Sequence, residues 1–237
     1  MQDKNRPPRA APRKCRIKTI LLGMALQVIP LLWTGAVLSG EVLDFAVIQP
    51  GQPGDAESAR PVMEALAAYV QKGFRSKVQV EGRYFNRLDP ALAFLQDHRP
   101  AWGIVSPGFY VQEAARLDMT PIASTRPGGH DTDVWRLMVP KDGNDQWQTL
   151  TGTVSGNMLF ETRAAACLLF GVPARDLPFT LAGTFRPLRA LRKVAAGTLT
   201  GAVLDRMQYE AVQRLPLARK IKVIHTSGPL PPSPVVW

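Results

Sequence analysis

Residues 102–123, WGIVSPGFYVQEAARLDMTPIA, read as a buried strand (Trp102–Val105), a tight polar turn at Ser106, Pro107 and Gly108, a short helix, and a second strand. A strand that ends in small and aromatic residues puts them at the carboxyl edge of a sheet, where open α/β sheets hold ligands. Upstream, Val42–Ile48 is a short apolar run of the kind buried on both faces. It leads through the turn QPGQPGD (Gln49–Asp55) into a helical pattern over Ala56–Lys72, with Val62, Met63, Leu66, Tyr69 and Val70 assigned to its apolar face. Val78–Val80 is the next strand, and Asp89 opens a helix that runs to Leu95. Strand, helix, strand, helix, strand is the rhythm of a parallel sheet.

Downstream the rhythm breaks at RPGGHD (Arg126–Asp131), read as a first crossing between two lobes. Val134–Pro140 is a strand, Thr149–Thr153 a junction, and Thr162–Phe170 a helix stopped by Gly171. Leu188–Ala196 and Met207–Leu215 are helices on either side of the strand Gly201–Leu204, with Asp205 as the cap of the second. Ile221–Ile224 is a strand, HTSGPLPPSP (His225–Pro234) the return crossing, and Val235–Trp237 a strand back in the first lobe. The fold class expected is α/β and two-lobed, with mostly parallel sheets flanked by helices and two hinge crossings. Residues 41–125 with 231–237 form lobe one, and residues 126–230 form lobe two.

The amino terminus carries Lys4, Arg6, Arg9, Arg13, Lys14, Arg16 and Lys18 against Asp3 alone, ahead of the apolar run Thr19–Leu38. A basic region, an apolar stretch and small residues make up a secretory signal. Residues 1–40 are therefore expected as a signal peptide cleaved near Ser39 or Gly40, or as a membrane anchor, since about 20 apolar residues span a bilayer. The expected location is the periplasm. The formal charge of +10 is largely this leader's; without residues 1–39 the chain has 22 basic and 18 acidic residues. That small excess, unclustered and without interleaved aromatics, excludes a nucleic-acid partner and suits an anionic ligand. Cys15 precedes the apolar run, so it is no lipoprotein cysteine. Cys167, within Ala164–Phe170, is expected as a buried, inert thiol.

The strand and turn at 101–111 resemble the "D-I-A-x-x-x-P-x-x-Y-V" segment of periplasmic solute-binding proteins of the phosphate/phosphite/phosphonate ABC-transporter type, the type 2 periplasmic binding proteins. Pro107, Tyr110 and Val111 match, and Ala101 stands where the family has Asp. Thr149–Thr153 resembles the family's "D-L-K-G-K" turn through Leu150 and Gly152. The order of elements extends the resemblance over residues 43–237. Family chains continue into further helices beyond the point where this one ends.

The resemblance implies convergent neutral donors for an oxyanion, supplied in the family by an "S-T-S-G" turn at a helix start. Thr153–Gly156 could be that turn, with Ser155 and Asn157 as donors; the competing register makes Thr153–Asn157 a strand and begins the helix at Thr162. The family's anion-binding His falls at Phe185, beside Thr184 and Arg186, and its amine-binding acid at Thr200, so an aminoalkylphosphonate is not expected. Tyr110 matches the family tyrosine. Gln49 and Ser106 qualify by their place at strand ends. The candidate ligand set is Gln49, Ser106, Tyr110, Ser155, Asn157, Thr162, Thr184 and Arg186.

No catalytic constellation is visible. His98, His130 and His225 are read as lying in three separate loops without metal-ligand spacing, and there is no Gly-x-Ser-x-Gly elbow, P-loop or Gly-x-Gly-x-x-Gly. The expectation is a monomeric, non-enzymatic protein without metal or cofactor. It captures a small anion for an ABC permease; the alternative is a ligand-sensing or scaffold module for a membrane sensor or redox system.

Overall fold

The computed structural model describes residues 42–74 and 78–237. The expected signal segment, residues 1–40, lies outside them. Two five-stranded sheets, each flanked by helices, build the two lobes of an α/β fold. The first sheet has the order β2 (Gln79–Phe85), β1 (Val42–Ile48), β3 (Trp102–Val105), β10 (Pro234–Val236), β4 (Pro121–Ser124). The second has the order β7 (Thr180–Gly183), β6 (Thr153–Gly156), β8 (Gly201–Leu204), β5 (Arg136–Pro140), β9 (Ile221–Thr226).

The sheets are mixed rather than mostly parallel. Strands joined in succession through helices run parallel, and among them β1 pairs with β2 and β3, and β6 with β7 and β8. Strands reached through a crossing run the other way: β10 is antiparallel to β3 and β4, and β5 to β8 and β9. A right-handed helical crossover returns the chain in the same direction. A short extended crossing delivers it reversed.

Helix α1 (Ala56–Gln71) starts at a capping box in which Asp55 and Ser58 bond reciprocally. Its buried face is Met63 and Ala67, with Ala59, Leu66 and Val70 half-covered, packed on Phe45 and Val80. Val62 and Tyr69, expected on that face, are 69% and 75% exposed. The sheet is covered by the 59/63/66/67/70 stripe, and Val62 and Tyr69 fall outside it. Helices α2 (Leu88–Asp97) and α3 (Pro107–Leu117) cover the opposite face of the sheet around Ala46, Ile48, Val105 and Phe109. Asp89 sits inside α2, and the cap position is Arg87, without a side-chain bond.

In lobe two, alternate residues of β5 feed opposite cores, as a period-two strand must. Leu137 and Val139 join the cluster beneath α4 (Thr162–Phe170), and Met138 joins the one beneath α5 (Pro187–Ala195) and α6 (Arg206–Gln213). Strand β2 runs on to Phe85, and β7 appears where no strand was expected, each held in parallel register along the full length of its partner, β1 or β6. β9 extends through His225 and Thr226, so the return crossing begins at Ser227. Cys167 is half-buried on α4 and is not a free thiol. No helix of the described residues is long and apolar enough to cross a membrane.

Candidate functional site

The carboxyl ends of β1, β3, β6 and β8 converge on the gap between the lobes. The residues that follow them, Gln49 and Pro50, Ser106, Asn157, and Asp205, all line one cleft of about 360 Å³. This is where open parallel sheets place ligands, and the volume suits a small molecule. The two crossings complete its wall. They run side by side, with Asp133 and Leu230 exchanging both backbone hydrogen bonds at 2.9 Å and the Thr125 hydroxyl donating to the Ser233 carbonyl at 3.1 Å.

Helix α3 begins at the cleft. Ser106 is its N-cap and accepts from the Phe109 N–H at 3.1 Å, and Pro107 takes the first helical position, where its missing N–H costs nothing. The Ser106 hydroxyl donates to Glu161 Oε1 at 2.5 Å. Ser106 belongs to lobe one and Glu161 to lobe two. Glu161 closes a 3-10 turn (Asn157–Glu161) ahead of α4 and is only 2% exposed. Burial pushes its carboxyl up to about 7, against the opposing effects of the Ser106 hydroxyl and the Phe109 N–H. Gly51, with φ 84°, brings lobe one against the Asn157 carbonyl; a Cβ there would collide with it.

Two further carboxyls face the cleft. Asp133 is fully engaged: Oδ1 accepts from the Val134 and Arg206 N–H groups at 2.7 and 3.0 Å, and Oδ2 from Trp135 Nε1 at 3.0 Å. Asp205 caps α6 through the Gln208 N–H at 2.8 Å, and its carboxyl is pushed up to about 6 by burial, with the Asp133 charge adding to it. Two lining residues keep a buried polar atom without a partner, Asn157 at Oδ1 and Arg206 at Nε.

Of the candidates expected from sequence, Gln49, Ser106 and Asn157 line the cleft together. Gln49 Nε2 donates to Ser233 Oγ at 3.1 Å across the strand ends of lobe one. The other five lie outside the cleft lining. Tyr110 packs half-buried in the lobe-one core. The Ser155 hydroxyl is spent on the Ala182 carbonyl at 3.0 Å, and that of Thr162 on the Leu159 carbonyl at 2.9 Å. Thr184 accepts from the Arg186 N–H at 3.1 Å, and the Arg186 side chain is exposed. The structure adopts the register with Thr153–Gly156 as strand β6 and α4 beginning at Thr162. An inward-facing hydroxyl on a strand is then taken by its neighbour's carbonyl. Thr200 donates to the Thr151 carbonyl at 2.7 Å, away from the cleft. The acid that reaches the cleft beside β8 is Asp205.

Glu161, Asp133 and Arg206 carried no motif in the sequence. The usable signal was position, since Asp205 and Arg206 follow the end of β8 directly.

No protein-family model and no curated protein matches this chain. Solved structures do match in fold. A binding-protein component of an ABC phosphonate transporter from Pseudomonas aeruginosa is 16% identical, with a TM-score of 0.56 over 83% of this chain and 68% of its own. A Xanthomonas citri protein solved with bound chloride is 15% identical, with a TM-score of 0.57 over 82% and 76%. A Prochlorococcus marinus protein in complex with methylphosphonate is 12% identical, with a TM-score of 0.53 over 83% and 76%. The fold of this chain is that of the type 2 periplasmic binding proteins.

Proposed function

We propose that this chain is an exported solute-binding protein that captures a small oxyanion of the phosphate, phosphite or phosphonate class between its lobes and delivers it to an ABC permease. The observation that carries the reading is the cleft at the strand ends, two of whose lining residues keep a buried polar atom without a partner, the acceptor Asn157 Oδ1 and the donor Arg206 Nε. A buried polar atom without a partner costs free energy, and a ligand that supplies one recovers it. A singly protonated phosphonate or phosphite meets both needs, with an anionic oxygen for Arg206 and an O–H for Asn157. The carboxyls of Asp133 and Asp205 disfavour a dianion in the same space. The phosphonate-transporter neighbour and the methylphosphonate complex agree with this class. Closure hinges on the paired crossings, residues 126–133 and 227–233, and a ligand held by Asn157 and Arg206 of lobe two favours the closed state by also meeting the lobe-one lining at Gln49 and Ser233.

Calorimetric titration of the chain from Glu41 onward with phosphate, phosphite, methylphosphonate, alkylsulfonates and carboxylates tests this. At least one phosphorus oxyanion is expected to bind and, at a hundredfold excess over its Kd, to stabilise the chain by about 2.7 kcal/mol. Arg206→Ala is expected to weaken it roughly tenfold to a hundredfold, the loss of a charged hydrogen bond. Silence across the panel leaves a second reading, which the Ser106–Glu161 bond between the lobes favours: a module that presents a closed form to a membrane sensor without transporting anything. Under either reading the protein works outside the cytoplasm as a monomer. Mass spectrometry of the expressed protein is expected to find its amino terminus near Gly40 or Glu41; a cytoplasmic product starting at Met1 overturns export.

A further inference from the structure

Glu161 is a lobe-two residue whose surroundings are those of a lobe-one ligand. It sits buried at the first turn of the eleven-residue α3, where the Ser106 hydroxyl donates to Oε1 and the Phe109 N–H also acts on the carboxyl. The site is shaped for it: Gly108, buried in that same turn, has no Cβ, and one added there would collide with Glu161 Oε2. The residue at the other end of the same 3-10 turn, Asn157, also meets lobe one, through its carbonyl at Gly51. An unmatched buried carboxyl is costly, so this one answers to the donors it meets across the gap.

We propose that the Glu161 carboxyl is an internal latch, which holds the two lobes together independently of any solute and takes for itself the donors at the start of α3. Solute recognition is thereby left to the Asn157 and Arg206 side of the cleft. That last consequence rests on the solute-binding reading; the latch does not.

The latch responds to pH. Buried Glu161 holds its proton up to about 7, whereas an opened, hydrated carboxyl holds it only to the ordinary 4.5. Opening therefore releases a proton between those values, so the closed-to-open ratio falls as pH rises through that window and is level above it. From about pH 5 to about pH 7 the fall is roughly fortyfold, at most tenfold per pH unit. No charged group contributes to the shift of Glu161. On α3, Glu113 and Arg116 pair with each other at 2.7 Å, Arg163 on α4 is exposed, and His130, Asp133, Asp205 and Arg206 line the same cleft. Asp205, pushed up to about 6, is the rival titrating group.

Small-angle scattering without any solute, at about pH 5 and about pH 8, separates them. The unaltered chain is expected to be compact at the lower pH and expanded at the higher. Glu161→Gln, neutral and of the same shape, is expected to be compact at both, and Asp205→Asn, still a good helix cap, to keep the response. Glu161→Ala and Gly108→Ala are expected to be expanded at both, with Gly108→Ala adding nothing in the Glu161→Ala background. A Glu161→Gln chain that still expands with pH, or a Glu161→Ala chain as compact as the original at both, overturns the latch. Where Glu161→Ala does not fold, the Glu161→Gln comparison decides alone. Because no solute enters this experiment, its failure is distinct from failure of the solute-binding reading.

Discussion

Glu161→Gln is expected to make the protein more stable at about pH 8 by up to about 3 kcal/mol, and to change it little at about pH 5. The sign follows from the direction of the shift. The folded chain holds the Glu161 proton to about 7, and the unfolded chain only to the ordinary 4.5. The favourable contribution is therefore complete below 4.5 and declines as pH rises through the folded value. Above it the lobes either close over a buried charge, which the Ser106 hydroxyl and the Phe109 N–H only partly offset, or open to hydrate it; both forgo the contribution, and about 3 kcal/mol is its ceiling. Glutamine keeps the shape and an oxygen that accepts from Ser106, but it cannot ionise. Urea titrations of both chains across this pH range give the difference directly. Asp205 titrates in both chains and cancels. Equal stability of the two chains across the whole pH range would mean that closure buries the Glu161 carboxyl at no pH.

The elements that sequence reasoning located best are those whose signal is local. Val42–Ile48, Trp102–Val105 and Gly201–Leu204 are short apolar runs buried from both faces, and their bounds match the strands. Thr162–Phe170 ends at Gly171, whose φ of 70° is a left-handed stop, and the Asp205 cap is made with Gln208 as a capping box. The two-lobed order was legible from the crossings, because Arg126–Asp131 and the proline-rich segment before Val235 interrupt every periodic pattern.

What was not legible depended on partners. β7, Thr180–Gly183, has a weak pattern of its own and is a strand because β6 lies beside it in parallel register. The hydroxyls of Ser155 and Thr162 resembled ligand donors, yet each is consumed within its own lobe by a carbonyl that no linear pattern announces. Glu161 follows the apolar Met158, Leu159 and Phe160, and no motif surrounds it. Its meaning comes from Ser106, 55 residues earlier, across the gap between the lobes. A site assembled from the ends of four strands is legible as a set of positions; which side chains face inward is decided by packing.

Phe109→Ala is expected to cost about 3 to 5 kcal/mol, the range for emptying a fully buried aromatic site. Phe109 is 0% exposed and lies among Ala46, Ile48, Ala91, Val105 and Val236 between α3 and the first sheet. Small neighbours such as Ala46 and Ala91 have little side chain with which to fill the space, so the cavity persists and the cost lies at the upper end. For a chain of this size the melting temperature is expected to fall by roughly 10 °C. Phe109→Leu, which retains most of the volume, is expected to cost less than about 1.5 kcal/mol. The same residue carries the N–H at the third position of α3, which answers both the Ser106 cap and the Glu161 carboxyl. A cavity at its ring loosens the helix start on which lobe two is docked, so Phe109→Ala is also expected to raise hydrogen exchange at residues 106–109 and at Glu161. Exchange in β5 and α5, whose cores are formed by Leu137, Met138, Leu191 and Val194, is expected to stay as slow as before. Uniform acceleration across both lobes would instead mean that they unfold as a single unit, with the hinge transmitting the loss.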